Sequence, residues 1–182
     1  ILIIFRVGVQ IPVPGVDIAR LMANMESGSS PLMELLNLFT GGGLQQASIF
    51  SLGVMPYITA MIIMQLLTAV VPSVDRMVKE GPEGRKKFRQ IGRLGTLAVT
   101  IIQGVIYGNS LIARSAAGGN FLLFSGLKFT LLFVATVSAG TLILMWMGEQ
   151  ITERGIGNGI SILIMAGIVA RLPSAIYSLF GS

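Results

Sequence analysis

The sequence contains no cysteine and no histidine, and only 12% of its 182 residues are charged. Disulfide bonds, thiol catalysis and zinc centres are therefore excluded, and the commonest general base of enzymes is missing. A soluble domain of this length needs more polar surface than so few charges supply. The 53% hydrophobic content and the mean hydropathy of +0.80 place the chain among integral membrane proteins.

Long apolar segments predict five membrane spans, since about 20 apolar residues cross the hydrocarbon core. We expect the end of a first span at residues 1–15, a second span at 48–71, a third at 94–113, a fourth at 129–147, and a fifth with its tail at 160–182. Residues 16–47, 72–93, 114–128 and 148–159 connect them. No cleavable signal peptide is visible, and Ile1 lies within an apolar run, so we expect the first span to be incomplete.

The connection at residues 72–93 is strongly basic. It contains seven Lys or Arg residues against three acidic ones, whereas the connection at 114–128 contains only Arg114 and Lys128. Short basic connections stay on the cytoplasmic side, so residues 72–93 are predicted to be cytoplasmic and 114–128 to face outward. This clustering explains the net charge of +5 better than a nucleic-acid surface does, and it also suits anionic lipid headgroups.

A short apolar segment at residues 32–39 is separated from the second span by Gly41, Gly42 and Gly43. This pattern predicts a broken helix, whose irregular backbone is tolerated at membrane depth only where it lines a cavity or is buried in protein. Arg6 lies within the first span, where a charge usually faces protein or water. An odd number of spans is typical of one half of an inverted repeat.

No catalytic constellation is visible. Glu149 and Glu153 are four residues apart and precede Arg154, a pattern that favours a solvated helix end with an ion pair over an acid pair. The glycines of residues 155–159 lack the Lys-Ser/Thr ending of a phosphate-binding loop. We therefore expect no enzyme activity, no cofactor and no metal site.

Four stretches resemble the SecY family of protein-conducting channels, in its bacterial form. They are FRVGVQIPVPGVD (5–17), LLNLFTGGGLQQASIFSLGVMPYITAMIIMQLL (35–67), KEGPEGRKKFRQ (79–90) and MWMGEQITERGIGNGISILIMAGIVARLP (145–173). Their order and spacing match the family over essentially the whole chain. The resemblance implies an all-α membrane fold of ten helices in two pseudosymmetric halves. Residues 1–182 are then the N-terminal half, with helices one to five and a broken second helix.

The resemblance also implies a ring of aliphatic residues around a central pore. Val54, Ile58 and Ile164 match ring positions, with Ile62 and Ile160 nearby. Spacing of four residues places such side chains on one helical face, but that spacing occurs in any membrane helix. Aliphatic groups offer no directed hydrogen bonds to a passing chain, and a narrow apolar constriction dewets and resists ion flow.

A plug beneath the ring is the next implication of the resemblance. Its residues are Leu35, Leu36, Asn37, Leu38, Phe39, Thr40, Gly41, Gly42, Gly43 and Leu44, and the segment extends to Gln46. A helix of two to three turns is marginal alone, and the glycines supply freedom for a hinge. An interfacial re-entrant helix without a gating role remains the alternative.

The implied function is to translocate unfolded polypeptides and to release hydrophobic segments laterally into the membrane, in a multi-pass protein of the cell's inner (plasma) membrane. Scattered polar residues of spans two and three either line the lateral gate or join neighbouring helices. The implied partners are the second half of the channel, the small subunits SecE and SecG, the polypeptide substrate and the lipid bilayer. The SecA motor or the ribosome is expected to contact Arg85, Lys86, Lys87 and Arg89. No direct nucleic-acid specificity is expected.

Two rival functions remain at this point. Half of a secondary transporter with a broken-helix binding site also fits an inverted repeat. Such a protein should place ionisable or backbone groups near the bilayer midplane, but beyond Arg6, near the end of a span, no charged residue lies there. A purely structural membrane subunit would not need a broken helix.

The asymmetry in basic residues predicts the orientation of the chain. The variants Lys86→Cys and Thr152→Cys should react with an impermeant thiol reagent only from the cytoplasmic side, and Gly119→Cys only from outside. The sequence contains no cysteine, so no native thiol in it reacts with the reagent. Labelling of position 86 from outside would contradict the orientation.

Overall fold

The structure is a computed structural model and describes residues 1–26, 35, 39–120, 122–123, 126–155, 157–173 and 176–177. These residues form seven α-helices and no β-strand. They are α1 (Leu2–Val9), α2 (Ile18–Glu26), α3 (Met55–Val70), α4 (Pro72–Lys79), α5 (Pro82–Arg114), α6 (Leu127–Arg154) and α7 (Gly159–Val169). A π-helical turn, Ser115–Gly119, continues α5. The all-helical class predicted from the sequence is confirmed for the described part of the chain.

The helices α5 and α6 are the longest elements. At 33 and 28 residues, they extend about 50 and 42 Å at 1.5 Å per residue, enough to cross a bilayer core. Helices α3 and α4 qualify together but are bent by 102° at their junction. Of the described helices, two are therefore long and apolar enough to cross a membrane, or three if the bent pair is one span. The five-span arrangement remains a prediction.

The basic connection predicted at residues 72–93 is mostly helical. Helix α4 occupies its first part, and α5 begins at Pro82 rather than at residue 94. Pro82 and Glu83 lie in the first turn of α5, where proline loses no hydrogen bond and a carboxylate complements the helix dipole. Hydropathy predicts where a helix leaves the membrane but not where the helix ends. Lysine, arginine and glutamine favour helical backbone, so the helix continues into water.

The connection at residues 16–47, predicted as an outer loop and plug, contains the helix α2. The carboxylate Oδ1 of Asp17 accepts hydrogen bonds from the backbone N–H of Ala19 at 3.1 Å and of Arg20 at 3.4 Å. This N-cap satisfies amide groups that have no partner within the helix. The guanidinium of Arg20 donates to the carbonyl of Asn120 at 3.1 Å and ties α2 to the turn after α5.

The second predicted span is helical only from Met55, because residues 48–54 form successive turns. The N–H of Ser51 donates to the carbonyl of Ser48 at 2.9 Å, and that of Gly53 donates to the carbonyl of Phe50 at 2.8 Å. Pro56 lies in the first turn of α3, where its missing N–H costs nothing. The irregular backbone therefore extends well beyond the three glycines.

Small residues allow α5 and α6 to pack closely, as is typical of membrane helices. A methyl group added at Gly104 would contact Val134 at 3.3 Å, and one at Gly108 would contact Phe133 at 3.4 Å. Gly140 of α6 lies directly against the backbone carbonyl of Ile49. Trp146 of α6 lies on the surface of the helix bundle and is 57% exposed.

Two clusters of buried apolar residues form the interior. The first joins residues near the turn after α5: Val13, Val16, Leu21, Ala47, Leu111, Phe129, Phe133 and Val137. The second joins α1, the irregular segment (residues 40–54), α6 and α7: Phe5, Val9, Phe50, Val54, Leu144, Met147, Ile160 and Leu163. Tyr57 and Ile58 of α3 pack against it. The irregular segment contributes to both clusters and so connects them.

Two glycine substitutions test this packing. Gly140→Ala should destabilise the protein by about 1–3 kcal/mol, because the new methyl group overlaps a backbone oxygen that cannot rotate away. Gly95→Ala is the matched control, since its methyl group meets only the Cβ of Ala60, at 3.9 Å, and alanine favours a helix. Thermal unfolding in mild detergent distinguishes them. Equal melting temperatures for both variants would contradict the packing.

Candidate functional site

The glycine segment between Thr40 and Leu44 crosses the interior with backbone angles that favour glycine. Gly41 and Gly42 have φ values of +65° and +97°. The Cα of Gly167 in α7 lies 3.2 Å from the position that a Cβ on Gly41 would occupy. The guanidinium carbon of Arg171 lies 3.3 Å from the corresponding position on Gly42. Conformation and space therefore both require glycine at these positions.

Arg6, whose charge was unexplained by the sequence, faces this glycine segment. Its Nη1 donates a hydrogen bond to the carbonyl oxygen of Gly41 at 3.1 Å, and the side chain is only partly buried. The contact joins residues that are 35 positions apart. A charge within an apolar span is thus used to bind non-helical backbone, as expected for a charge facing protein rather than lipid.

Four of the five predicted ring residues lie in one apolar cluster. Val54 and Ile160 are buried at 6% and 8% exposure, and Ile58 and Ile164 are half-buried against them. The cluster brings together the start of α3 and the start of α7. These helices are distant in sequence, so the convergence was not implied by the spacing within either helix.

Ile62, the fifth predicted ring residue, is not brought to this cluster. Its side chain is 52% exposed. Although it shares a helical face with Val54 and Ile58, that face of α3 extends beyond the packed part of the cluster. The nearby Ile63, Leu66 and Leu67 are also exposed.

Ile160 is positioned by hydrogen bonds at the start of α7. The side chain of Asn158 caps the helix and accepts from the N–H of Ile160 at 3.1 Å. The hydroxyl of Thr152 accepts from the N–H of Gly159 and donates to the carbonyl of Gly148, both at 2.8 Å. Gly148 has no side chain, which leaves the space that the Ile160 side chain fills.

The plug residues are described only in part. Leu35 and Phe39 have helical backbone and exposed side chains, and residues 40–44 form buried turns. Leu36, Asn37 and Leu38 lie outside the described residues. The assignment of this segment as a plug therefore remains a prediction.

A cleft of about 320 Å³ opens beside Ile160. An ion pair spans it: the guanidinium of Arg93 in α5 donates to both carboxylate oxygens of Glu149 in α6, with Nε to Oε1 at 2.9 Å. Tyr57 and Met61 of α3 line the same cleft. The sequence did not predict this pair, because its members are 56 residues apart. It places the basic start of α5 and the end of α6 at the same end of the bundle.

The predicted contact residues for cytoplasmic partners lie at this end. Arg85, Lys86, Lys87 and Arg89 are all exposed on the first turns of α5. Arg89 also lines the cleft, and Lys86 lines a smaller depression of about 170 Å³ beside Glu153. The residues are accessible, and their partners remain a prediction.

Among the described residues, no group of three or more carboxylate, histidine or cysteine side chains is arranged to hold a metal ion. Glu149 is paired with a guanidinium rather than with Glu153. The site therefore consists of apolar side chains around a glycine-rich, non-helical segment. Such an arrangement can form an apolar constriction next to a hinge, in a protein built of membrane helices.

Comparison with known proteins gives consistent matches. The SecY family model matches residues 48–182. "Protein translocase subunit SecY" of Escherichia coli (strain K12) is 49% identical over 175 residues, covering 96% of this chain and 39% of that protein. The subunit of the same name from Pseudomonas aeruginosa is 45% identical, covering 100% of this chain and 40% of the relative.

Solved structures match in fold. One is described as "The structure of a protein conducting channel", with a TM-score of 0.62 at 23% identity, covering 91% of this chain and 33% of that one. Another is "Sec61 in the Canine ribosome-channel complex from the endoplasmic reticulum", with the same TM-score and identity, covering 91% and 34%.

The fold and the site define an α-helical membrane protein with a buried, non-helical glycine segment packed among its helices. The sequence matches identify it further: the chain belongs to the SecY family. It spans about two fifths of the length of the curated relatives that it matches.

The hydroxyl of Thr152 provides a test of how Ile160 is positioned. Thr152→Val keeps the shape of the side chain but leaves the N–H of Gly159 without its acceptor, so unfolding should become about 1–2 kcal/mol easier. Thr136→Val is the control, because that hydroxyl donates only along its own helix, to Leu132. Thermal unfolding in detergent measures both. A melting temperature for Thr152→Val no lower than that of the control would show that the hydrogen bond to Gly159 contributes nothing.

Proposed function

We propose that this chain forms one half, helices one to five, of a channel that conducts unfolded polypeptide across a membrane. The observation that carries the proposal is the meeting of Val54, Ile58, Ile160 and Ile164, from two separate helices, beside a buried non-helical segment. Membership of the SecY family supports it, since the matching relatives are named protein translocase subunits.

The chemistry of the aliphatic cluster suits this task. A translocating chain presents every kind of side chain, so its path should not bind any of them through directed hydrogen bonds. Aliphatic groups meet this requirement. A narrow aliphatic constriction also loses its water and resists ions when no chain is present. In this proposal Val54, Ile58 and Ile164 form part of the constriction, with Ile160 beside them, and Ile62 lies further along the path.

The glycine segment supplies the movable part. In the closed state, residues 35–46 plug the channel under the constriction, and the backbone freedom of Gly41, Gly42 and Gly43 lets them move aside. The exposed apolar residues of α3 and α5, including Leu66 and Ile102, then face either the second half or lipid. Their face is the proposed side of the lateral gate, where hydrophobic segments leave the channel.

The second half of the channel and small subunits of the SecE and SecG type complete the assembly in this proposal. The exposed basic residues 85–87 and 89 contact the SecA motor or a ribosome on the cytoplasmic side. A neighbouring fold is described as Sec61 in a ribosome–channel complex, which supports a ribosome as one partner. The protein lies in the inner membrane of a bacterium and hydrolyses nothing itself, since the partner supplies the energy.

Half of a secondary transporter is not favoured. Such a protein would present ionisable or backbone groups to a substrate near the bilayer midplane. Here Arg6, the one charge of its span, donates to the carbonyl of Gly41, and the buried cluster that contains Val54 and Ile160 is apolar. No observation in the described part of the chain points to a small-solute site of that kind.

Serine substitutions test the constriction. In the full-length protein reconstituted with its small subunits, Val54→Ser, Ile58→Ser and Ile164→Ser combined should hydrate the constriction and raise the resting ion conductance of proteoliposomes several-fold. Transport of a secretory protein should continue, because a wetter path still passes an unfolded chain.

The control combines Ile3→Ser, Ile4→Ser and Val7→Ser, which matches the residue types at positions that are 80%, 60% and 56% exposed. These changes should leave the resting conductance unchanged. If the constriction variant is as tight as its parent, or the control leaks equally, the pore assignment is wrong.

A further inference from the structure

Three side chains, two from helices and one from the turn after α7, bind the non-helical segment. Arg6 of α1 donates to the carbonyl of Gly41 at 3.1 Å. The phenol of Tyr107 in α5 donates to the carbonyl of Leu44 at 3.0 Å. Arg171, just after α7, donates from Nη2 to the Oε1 of Gln45 at 3.3 Å. All three contacts are at least partly buried and connect residues 35 or more positions apart.

The three contacts fall within a stretch of five residues, on Gly41, Leu44 and Gln45. Within this stretch the backbone has only local turns of its own, such as the N–H of Gly43 donating to Thr40 and that of Ala47 donating to Leu44, both at 3.2 Å. Such turns belong to no regular helix, so the contacts that the segment makes with its neighbours decide how easily it opens. The side chains of Arg6, Tyr107 and Arg171 join residues 41–45 to the surrounding helices. Just beyond this stretch, the N–H of Val13 donates to the carbonyl of Ala47 at 2.8 Å and fixes the chain that follows.

Close packing fixes the positions of the donors. Gly41 contacts Gly167, one turn before the end of α7, and Gly42 contacts the guanidinium of Arg171. The N–H of Arg171 donates to the carbonyl of Ile168, which holds the residue in the last turn. A shift of the segment away from α7 would break its contacts with Gly167 and with Arg171 at the same step.

We infer that Arg6, Tyr107 and Arg171 are positioning residues that form a three-point latch on residues 41–45 and set how readily this segment leaves its closed position. The inference rests on the proposed function, in which residues 35–46 are the plug. The latch binds the segment on the side that follows the plug helix. Loosening any of its three points lowers the barrier to opening, while the helices around it stay packed.

Tyr107→Phe gives the cleanest test, because it removes one hydroxyl and keeps the ring against Phe133. The carbonyl of Leu44 keeps its hydrogen bond from Ala47, so the fold is expected to survive. In the full-length protein in detergent, backbone amides of residues 43–48 should exchange with deuterium about 2- to 10-fold faster, the factor that corresponds to one net hydrogen bond. Amides within α6 should not change.

Ser110→Ala is the matched control. Its hydroxyl lies one turn further along α5 and donates to the carbonyl of Tyr107 in its own helix, at 2.7 Å. Amide exchange of residues 43–48 should be unaffected by this change. Arg6→Met is the second test variant, since it removes another point of the latch from a different helix and should accelerate exchange of the same amides.

Resting ion conductance of the same variants in proteoliposomes tests the gating role of the segment independently of the latch. Faster exchange with higher conductance supports both. Faster exchange with unchanged conductance leaves the latch in place and overturns the gating role of the segment. If neither Tyr107→Phe nor Arg6→Met accelerates exchange beyond Ser110→Ala, there is no latch, whatever the conductance shows.

Discussion

The structure depends on the burial of non-helical backbone between residues 40 and 54. Peptide groups away from water need hydrogen-bond partners, and outside a helix they must find them in turns or side chains. Here the turns of residues 48–54 supply some, and Arg6 and Tyr107 supply others. The glycines of the neighbouring helices let those helices approach this backbone directly, as Gly140 approaches Ile49. The helices α1, α5, α6 and α7 are therefore arranged around a segment that could not be buried alone.

Hydropathy in the sequence located the apolar parts of α5 and α6 but not the ends of these helices. The start of α5 at Pro82 and the end of α6 at Arg154 lie in charged sequence, where water satisfies the backbone and the helix has no reason to stop. The helix α2 was missed because it is short and flanked by charged residues and a serine run, although Asp17 before a run of good helix formers was a readable N-cap signal. Gly41–Gly43 correctly indicated an interruption of regular helix before the second predicted span, whereas the short helix predicted before them lies mostly outside the described residues.

The candidate site could be predicted only as far as patterns within one helix allow. Family resemblance selected Val54, Ile58, Ile160 and Ile164, which meet in one cluster, and also Ile62, which does not. Periodicity could not distinguish them, because it gives the face of a helix but not how far along that face a neighbour packs. The contacts of Tyr107 and Arg171 were not predictable, since each joins residues 63 or more positions apart and no local pattern encodes such a distance.

The exposed position of Trp146 has a practical consequence for spectroscopy. It is the only tryptophan in this sequence, and it lies on the outward surface of α6, one turn before Glu149 and away from the glycine segment. Indole rings favour the region where a membrane meets water. In a version of the full-length protein without other tryptophans, its emission would therefore report on the surroundings of the bundle near the Arg93–Glu149 end. A change in fluorescence on adding a partner would indicate contact at that surface rather than movement at the centre.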